Sequence, residues 1–206
     1  MKLYLVRHGE SEANIKDLYH FPETSLSKDG VNQAEILAKR LRNLSFDYIY
    51  SSDLKRALHT AEIIARHIDK KVESISDLRE FRKPSKLWGK SDEDQESMTY
   101  VKLQKENFNN PEWKLADDES FNDLKIRANK VLKDLLQKHL NKKILIVSHG
   151  AMIKMMTALA VFTEELSPIT FWHFWHNLWI KNTGITIIEY KQNKWSLITW
   201  NDISHC

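Results

Sequence analysis

The run Ile144-Leu145-Ile146-Val147 constrains the fold more than any other part of the chain, because it is apolar without alternation. A strand with one face in water alternates apolar and polar residues. A strand covered on both faces reads as a continuous apolar run and belongs in a parallel sheet flanked by helices. Shorter β-branched and aromatic runs at residues 2–6, 47–50 and 71–75, each bounded by polar residues, supply the partners. Between them, the three-and-four spacing of Val31, Ala34, Ala38 and Leu41 predicts an amphipathic helix. So does that of Leu54, Ala57, Ala61, Ile64, Ala65 and Ile68. A third helix is predicted from about Phe121 to Leu140, with Phe121, Leu124, Ala128, Val131 and Leu135 on its apolar stripe. Ser120 and Asp123 before it are spaced as a capping box. Strands alternating with helices predict an α/β three-layer sandwich: a mostly parallel central sheet with helices on both faces. Ile185–Tyr190 and Trp195–Trp200 flank Gln192-Asn193, and so short a link predicts a C-terminal antiparallel hairpin. Residues 81–118 are polar and irregular, with a helix expected from about Asp92 to Asn107. They read as a small helical cap inserted into a single domain spanning 1–206.

Composition removes several classes of function. At 42% apolar and 29% charged, the chain is an ordinary globular one rather than a fibre or a disordered segment. The longest apolar candidate, Ala151–Phe162, carries Lys154 in its middle and falls short of the ~20 residues a membrane span needs. Near the start, Lys2-Leu3-Tyr4-Leu5-Val6 runs straight into Arg7 and His8, which argues against a secretory signal. Cys206 is the only cysteine, so no intrachain disulfide or thiolate metal cluster is expected, and the reading is of a cytoplasmic protein. A net charge of +3, from 31 basic and 28 acidic residues, is too balanced to call for nucleic acid as a partner.

The chemistry gathers at strand ends. Arg7-His8-Gly9-Glu10 follows the first strand and Ser148-His149-Gly150 follows the apolar one, so both histidines fall at the carboxyl rim where open α/β sheets place ligands. Ser51-Ser52-Asp53-Leu54-Lys55-Arg56 leaves a strand and opens a helix, which brings Arg56 to the same rim. Two guanidinium forks and two imidazoles suit a compact, doubly charged oxyanion, and phosphate is the expected guest. Of only five glycines, Gly9, Gly30 and Gly150 sit beside these histidines or at a helix start. His20, His59, His67, His139 and His205 read as packing or surface residues.

These motifs, in this order, resemble the histidine phosphatase superfamily, whose best-known branch is the cofactor-dependent phosphoglycerate mutases. Arg7-His8-Gly9 with Asn14 matches the first signature, and Leu26-Ser27 with Gly30 the turn after it. Ser52, Leu54, Arg56, Ala57, Thr60 and Ala61 fill the next element, Leu78-Arg79-Glu80 the acidic motif, and Ser148-His149-Gly150 the last. The resemblance implies that His8 is the nucleophile and becomes phosphorylated. It implies that Arg7, Asn14, Arg56 and His149 hold the phosphoryl oxygens, and that Glu80 is general acid, then base. Glu93, Asp94, Glu96, Asp118 and Glu119 are competing carboxylates for that last role. Independent chemistry agrees for His8: an imidazole attacks phosphorus only when neutral, and neighbouring guanidinium charges disfavour its protonated form. Arginines and a second imidazole can stabilise the transition state without a metal, so neither metal nor cofactor is expected.

The chain departs from the mutases after the acidic motif. Their longer segment there is missing, Leu87-Trp88-Gly89 stands where Trp-Glu-Gly is usual, and Asp118 replaces a common glycine. The expectation is therefore a metal-independent phosphomonoester hydrolase of the small phosphatase branch, acting on a small anionic phosphate ester. The alternatives are a phosphoglycerate mutase and a non-catalytic phospholigand-binding module. Arg79, Arg82, Lys83 and Lys86 add either field for an anionic substrate or only a solvated basic loop. The aromatic stretch Phe171–Trp179 reads mainly as a helix packed on the core. Trp172 and Phe174 do not share one face comfortably, so part of the stretch is expected to wall the phosphate pocket or to form a homodimer interface.

Overall fold

The computed structural model describes residues 1–206, the side chain of Glu164 apart. Its sheet has six strands: β1 (Lys2–Arg7), β2 (Tyr48–Ser51), β3 (Val72–Ser74), β4 (Lys143–Ser148), β5 (Ile185–Lys191) and β6 (Lys194–Asp202). In space they run β3-β2-β4-β1-β5-β6, the first four parallel and the last two antiparallel. The expected mixed sheet and C-terminal hairpin are both present. Gln192 and Asn193 close the hairpin with φ of 52° and 60°, the left-handed pair that a tight two-residue turn needs.

Strand β4 has a partner on each side and a helical layer on each face, which explains its unbroken apolar run. Ile144 and Ile146 enter one core, with Leu124, Leu132, Met152 and Met156, while Leu145 and Val147 enter the other, with Leu37, Leu41, Ile63 and Ile64. All four strand residues are fully buried, and burial of such side chains stabilises by roughly 1.5–3 kcal/mol each. The second core belongs to α2 (Lys28–Leu41) and α3 (Lys55–Ile68), the first to α5 (Phe121–His139), α6 (Gly150–Phe162) and α7 (Pro168–Asn177). Ser120 Oγ accepts from Asp123 N while Asp123 accepts from Ser120 N, the capping box expected at the start of α5. Helix α6 is apolar on nearly every face because it is buried between the sheet and neighbouring helices.

A short helix α1 (Glu12–Ile15) follows β1, and α4 (Gln95–Glu106) lies within residues 81–118, its N-cap Asp94 replacing the expected start at Asp92. Among the described residues no helix is long and apolar enough to cross a membrane.

Parallel register carries the sheet's geometry to its rim. Arg7 lies opposite Ser148 and Ser51 opposite Val147. One step further, His8 N donates to Ser148 O at 3.0 Å and Ser52 N to Val147 O at 3.0 Å. Gly9 and Gly30 then let the loop after β1 press against the start of α2. A Cβ on Gly9 would lie 2.4 Å from Gly30 O, and one on Gly30 1.9 Å from Glu10 O. Both clashes are with backbone, which cannot rotate away. Gly30→Ala is therefore expected to destabilise by ~1–3 kcal/mol and to lower turnover, because the loop that must move carries His8. Thermal melts and phosphatase assays on the variant check this, and a wild-type melting temperature with wild-type turnover would contradict the close approach.

Candidate active site

The rim brings the sequence-predicted residues together. The ring centroids of His8 and His149 are 5.1 Å apart, and both side chains are buried. His8 Nδ1 lies 2.7 Å from Gly9 O. A carbonyl only accepts, so Nδ1 carries the proton and Nε2 keeps its lone pair. Arg56 Nε donates to that Nε2 at 3.3 Å, and Thr60 Oγ1 accepts from Gly9 N at 3.1 Å, so α3 holds both the His8 ring and the loop beneath it. His149 Nε2 pairs with Ser52 Oγ at 2.9 Å. That leaves His149 Nδ1 buried and without a partner among the described residues, as is Arg7 Nε. Arg7 Nη1 donates to Ile180 O at 2.7 Å, which aims the rest of the fork.

Buried polar atoms without partners are uncommon in folded proteins and call for an explanation. Here they belong to residues gathered at one rim with His8, where an anion would satisfy them. Asn14 sits at the third position of α1. Its Oδ1 accepts from Ser11 N at 3.1 Å and from Asn182 Nδ2 at 3.4 Å, which leaves its own amide group to donate. Asn182 Nδ2 also donates to His8 O at 2.9 Å, tying the loop before β5 to the His8 backbone.

Charge and burial act together on the imidazoles. Burial, then the Arg56 and Arg7 charges, hold His8 well below its ordinary 6.5, and burial followed by Arg56 does the same for His149. Arg56 itself is lowered to about 10 by burial, with Glu80 partly offsetting. Both imidazoles are thus neutral at physiological pH while the guanidiniums remain charged.

Glu80 sits at the start of α6. Its Oε1 accepts from Ala151 N and from Phe81 N, both at 2.9 Å, leaving Oε2 as the oxygen available for a proton. Of the competing carboxylates, Glu93 is exposed and the other four have partners of their own. Glu119 forms an ion pair with Arg127 at 2.8 Å and accepts from Arg82 N at 2.8 Å. Asp94 and Glu96 face Lys90. Asp118, the replacement for a common glycine, is buried and accepts from Tyr100 Oη at 2.8 Å and Leu115 N at 2.7 Å, so it braces the cap.

The pocket over the seat has a volume of about 470 Å³, lined among others by His20, Arg56, Glu80, Lys83, Trp88 and Trp175. His20 corrects the sequence reading, which set it aside as a packing or surface residue. Its ring lies 6.0 Å from that of His8, its Nε2 is 2.6 Å from Ser11 Oγ, and burial with Arg56 and Arg7 lowers it to about 3. The available signal was its position between Asn14 and Leu26, a segment bracketed by two site motifs. The basic loop also divides: Arg79, Arg82 and Lys83 all line the pocket, but Arg79 pairs with Asp53 and Arg82 Nε donates to Asp117 O, whereas Lys83 has no hydrogen-bond partner among the described residues. In the aromatic stretch, Phe174 is buried against Phe162 and Trp200, so the core reading holds there. Trp172 is half-buried beside Phe108, with ring centroids 5.4 Å apart.

Comparison with known proteins agrees with this geometry. Residues 3–203 match the model of the histidine phosphatase superfamily (branch 1). The adenosylcobalamin/alpha-ribazole phosphatase of Escherichia coli (strain K12) is 30% identical over 184 residues, 84% of each chain. The "Probable phosphoglycerate mutase GpmB" of Salmonella arizonae is 28% identical over 211 residues, covering 100% of this chain and 94% of the relative. Among solved structures, a mutant phosphoserine phosphatase from Entamoeba histolytica in complex with phosphoserine superposes with a TM-score of 0.79. It is 30% identical, over 99% of this chain and 98% of that one.

Three imidazoles with depressed affinities, two buried and one half-buried, make stability depend on pH in a definite direction. Unfolded, each takes up a proton near 6.5; folded, His8, His20 and His149 do so only at lower pH. Below about 6.5 the unfolded chain therefore binds more protons, and stability falls as pH falls, by up to ~1.4 kcal/mol per pH unit for each such histidine. Melting temperatures from about pH 7.5 down to about pH 5 are expected to drop below 6.5, with a shallower slope in His20→Gln. A flat profile would mean that the imidazoles are already charged in the fold.

Proposed function

The chain belongs to the histidine phosphatase superfamily (branch 1), and from that premise we propose that His8 is the nucleophile of a metal-independent phosphomonoester hydrolase. The observation that carries the assignment is the pair of buried, unpartnered atoms Arg7 Nε and His149 Nδ1 beside a neutral imidazole whose unprotonated Nε2 meets only the Arg56 guanidinium. Arg7, Arg56, Asn14 and His149 hold the phosphoryl oxygens. In the first step the His8 Nε2 lone pair forms a bond to phosphorus as the P–O ester bond breaks, and Glu80 Oε2 gives its proton to the departing oxygen. In the second, Glu80 takes a proton from water, the water oxygen bonds to phosphorus, and the P–N bond breaks. Nε2 regains its lone pair, and phosphate leaves.

Each residue's part follows from its surroundings. The guanidiniums and the second imidazole spread positive charge and hydrogen bonds over oxygens that gain negative charge in the transition state. The two backbone amides on Glu80 Oε1 fix the carboxyl so that Oε2 faces the leaving group. Burial excludes bulk water from the nucleophile while the pocket above admits a small ester. We assign residues 1–206 to a single domain with 81–118 as its cap, and a cytoplasmic location fits a lone free thiol at Cys206.

Hydrolysis is favoured over mutase activity because the segment between Glu80 and Ser120 lacks the longer mutase insertion and leaves a pocket larger than phosphate alone requires. Incubation with 3-phosphoglycerate decides this: release of inorganic phosphate supports hydrolysis, and formation of the 2-isomer supports the mutase. Binding of phosphate with no turnover over a panel of phosphomonoesters would support a binding module.

Two substitutions test the roles. His8→Ala is expected to lower turnover of an aryl phosphate in chelator-treated protein by roughly three orders of magnitude or more, with the fold intact. Near-wild-type turnover would remove His8 from the reaction. Glu80→Gln is expected to slow alkyl phosphates far more than activated aryl phosphates, whose leaving groups need little protonation. Equal slowing of both would move the acid to another residue.

A further inference from the structure

Beyond the phosphate seat, the pocket opens into a second cavity of about 120 Å³, with which it shares Phe81, Lys83, Glu119 and Trp175. Five rings, Phe108, Trp113, Phe121, Phe171 and Trp172, line its far side, with the amides of Gln104, Asn107 and Asn110 among them. These rings come from three places, the end of the cap, the start of α5 and α7, so their convergence is a product of the fold rather than of one helix face. Neither the hydrolysis nor the packing of α7 on the core uses it. The volume is close to that of a cavity of roughly 150 Å³ that takes up benzene, so it holds one ring and little more.

Lys83 stands at the neck between the two spaces. Its Nζ lies 4.8 Å from the centroid of Tyr100 and 5.3 Å from that of Phe81. It makes no hydrogen bond among the described residues. Burial lowers it to about 8 while Asp118, Glu80 and Asp92 oppose the shift, so it is charged at neutral pH. An ammonium with ring faces beneath it and no oxygen partner has unused donors, and the neck is where a leaving group must pass on its way from His8 to the aromatic cavity.

We propose that this cavity is the leaving-group subsite, and that it selects phosphate monoesters whose alcohol carries a hydrogen-bond acceptor at Lys83 followed by a single apolar ring. The inference rests on the hydrolase reading and names its substrate class. The phosphoryl group lies at His8, an acceptor oxygen meets the Lys83 ammonium, and the ring stacks among Phe108, Trp113 and Trp172. Phe108 is 36% exposed at the mouth of the cavity, so a ring sliding beneath it covers apolar surface that now faces water. Offset and edge contacts between rings add to the burial.

Four probes separate the parts. N-benzoyl-O-phosphoethanolamine offers acceptor and ring, N-acetyl-O-phosphoethanolamine the acceptor alone, 3-phenylpropyl phosphate the ring alone, and ethyl phosphate neither. Longer amino-alcohol homologues of the first two set the reach. Release of inorganic phosphate is expected to give a kcat/KM for the best benzoyl probe roughly tenfold to a hundredfold above its acetyl partner. It should also exceed that for phenylpropyl phosphate. Phe108→Ala and Trp172→Ala should each erase the benzoyl-over-acetyl gain and leave ethyl phosphate unchanged. Lys83→Met should erase the gain of benzoyl over phenylpropyl while keeping the preference of ring over no ring. Because Phe108 is exposed, its truncation does not threaten the fold, and a melt on Trp172→Ala shows whether that variant is to be read. Equal rates for benzoyl and acetyl probes, or a ring preference that survives Phe108→Ala, would overturn the subsite. Equal rates for benzoyl and phenylpropyl probes would overturn the role of Lys83. A wild-type protein that hydrolyses ethyl phosphate but shows no ring preference refutes only the subsite. One that hydrolyses none of the four refutes the hydrolase reading itself.

Discussion

The active site depends on one pairing, the parallel register of β1 with β4. Arg7 opposite Ser148 places the next residues, His8 and His149, side by side at the carboxyl rim, and β2 in register with β4 brings Ser52 against His149. A slip of one residue would turn every side chain of a strand to the opposite face. The two apolar cores forbid that slip, because Ile144 and Ile146 face one and Leu145 and Val147 the other, all fully buried. Hydrophobic burial on both sides of β4 therefore sets the distance between two imidazoles, although none of those four residues touches them.

That placement creates an electrostatic problem that the site uses. Arg7 and Arg56 are largely removed from water next to His8 and His149, and His20 adds a third ring nearby. Burying charge without a partner is costly, and one carboxylate, Glu80, is the counter-charge acting on both guanidiniums. The cost is partly met by keeping the imidazoles neutral. The rest is met when a dianion enters, since a phosphoryl group supplies acceptors for Arg7 Nε and His149 Nδ1 at once. Affinity for phosphate and reactivity of the nucleophile then share one origin: the positive surroundings that attract the ester are those that keep Nε2 unprotonated.

Much of this was legible in the sequence because the responsible signals are local and periodic. The unbroken run at Ile144–Val147 marked a doubly covered strand, the Ser120–Asp123 spacing marked a helix start, and Gln192-Asn193 marked a hairpin. The motif residues His8, Arg7, Arg56 and His149 converge as their strand-end positions imply, and Glu80 joins them through Ala151 N. His20 was not legible by itself, because nothing in its neighbours distinguishes a histidine over a pocket from one on a surface. Lys83 was obscured in the same way by Arg79 and Arg82, whose partners Asp53 and the Asp117 carbonyl are distant in sequence. Within Phe171–Trp179, spacing could not say that Phe174 packs inward against Trp200 while Trp172 meets Phe108, since the second partner lies far away in the cap.

The division between sheet and cap also separates two kinds of constraint. The residues proposed to act on phosphorus stand at strand ends or near helix starts, where backbone hydrogen bonds hold the main chain. Residues that meet the leaving group stand on 81–118 and α7, held by side chains: Asp118 receives Tyr100 Oη, and Arg127 binds Glu119 while donating to the carbonyls of Asp77 and Arg79. Arg127 on α5 thus joins the cap to the loop that carries Glu80. Substitutions at the aromatic lining can alter which alcohol is accepted without disturbing the phosphate seat, whereas loss of Arg127 would release Glu119 as a buried charge and loosen both together. In this fold, selectivity is separable from chemistry at the lining and inseparable from it at that one arginine.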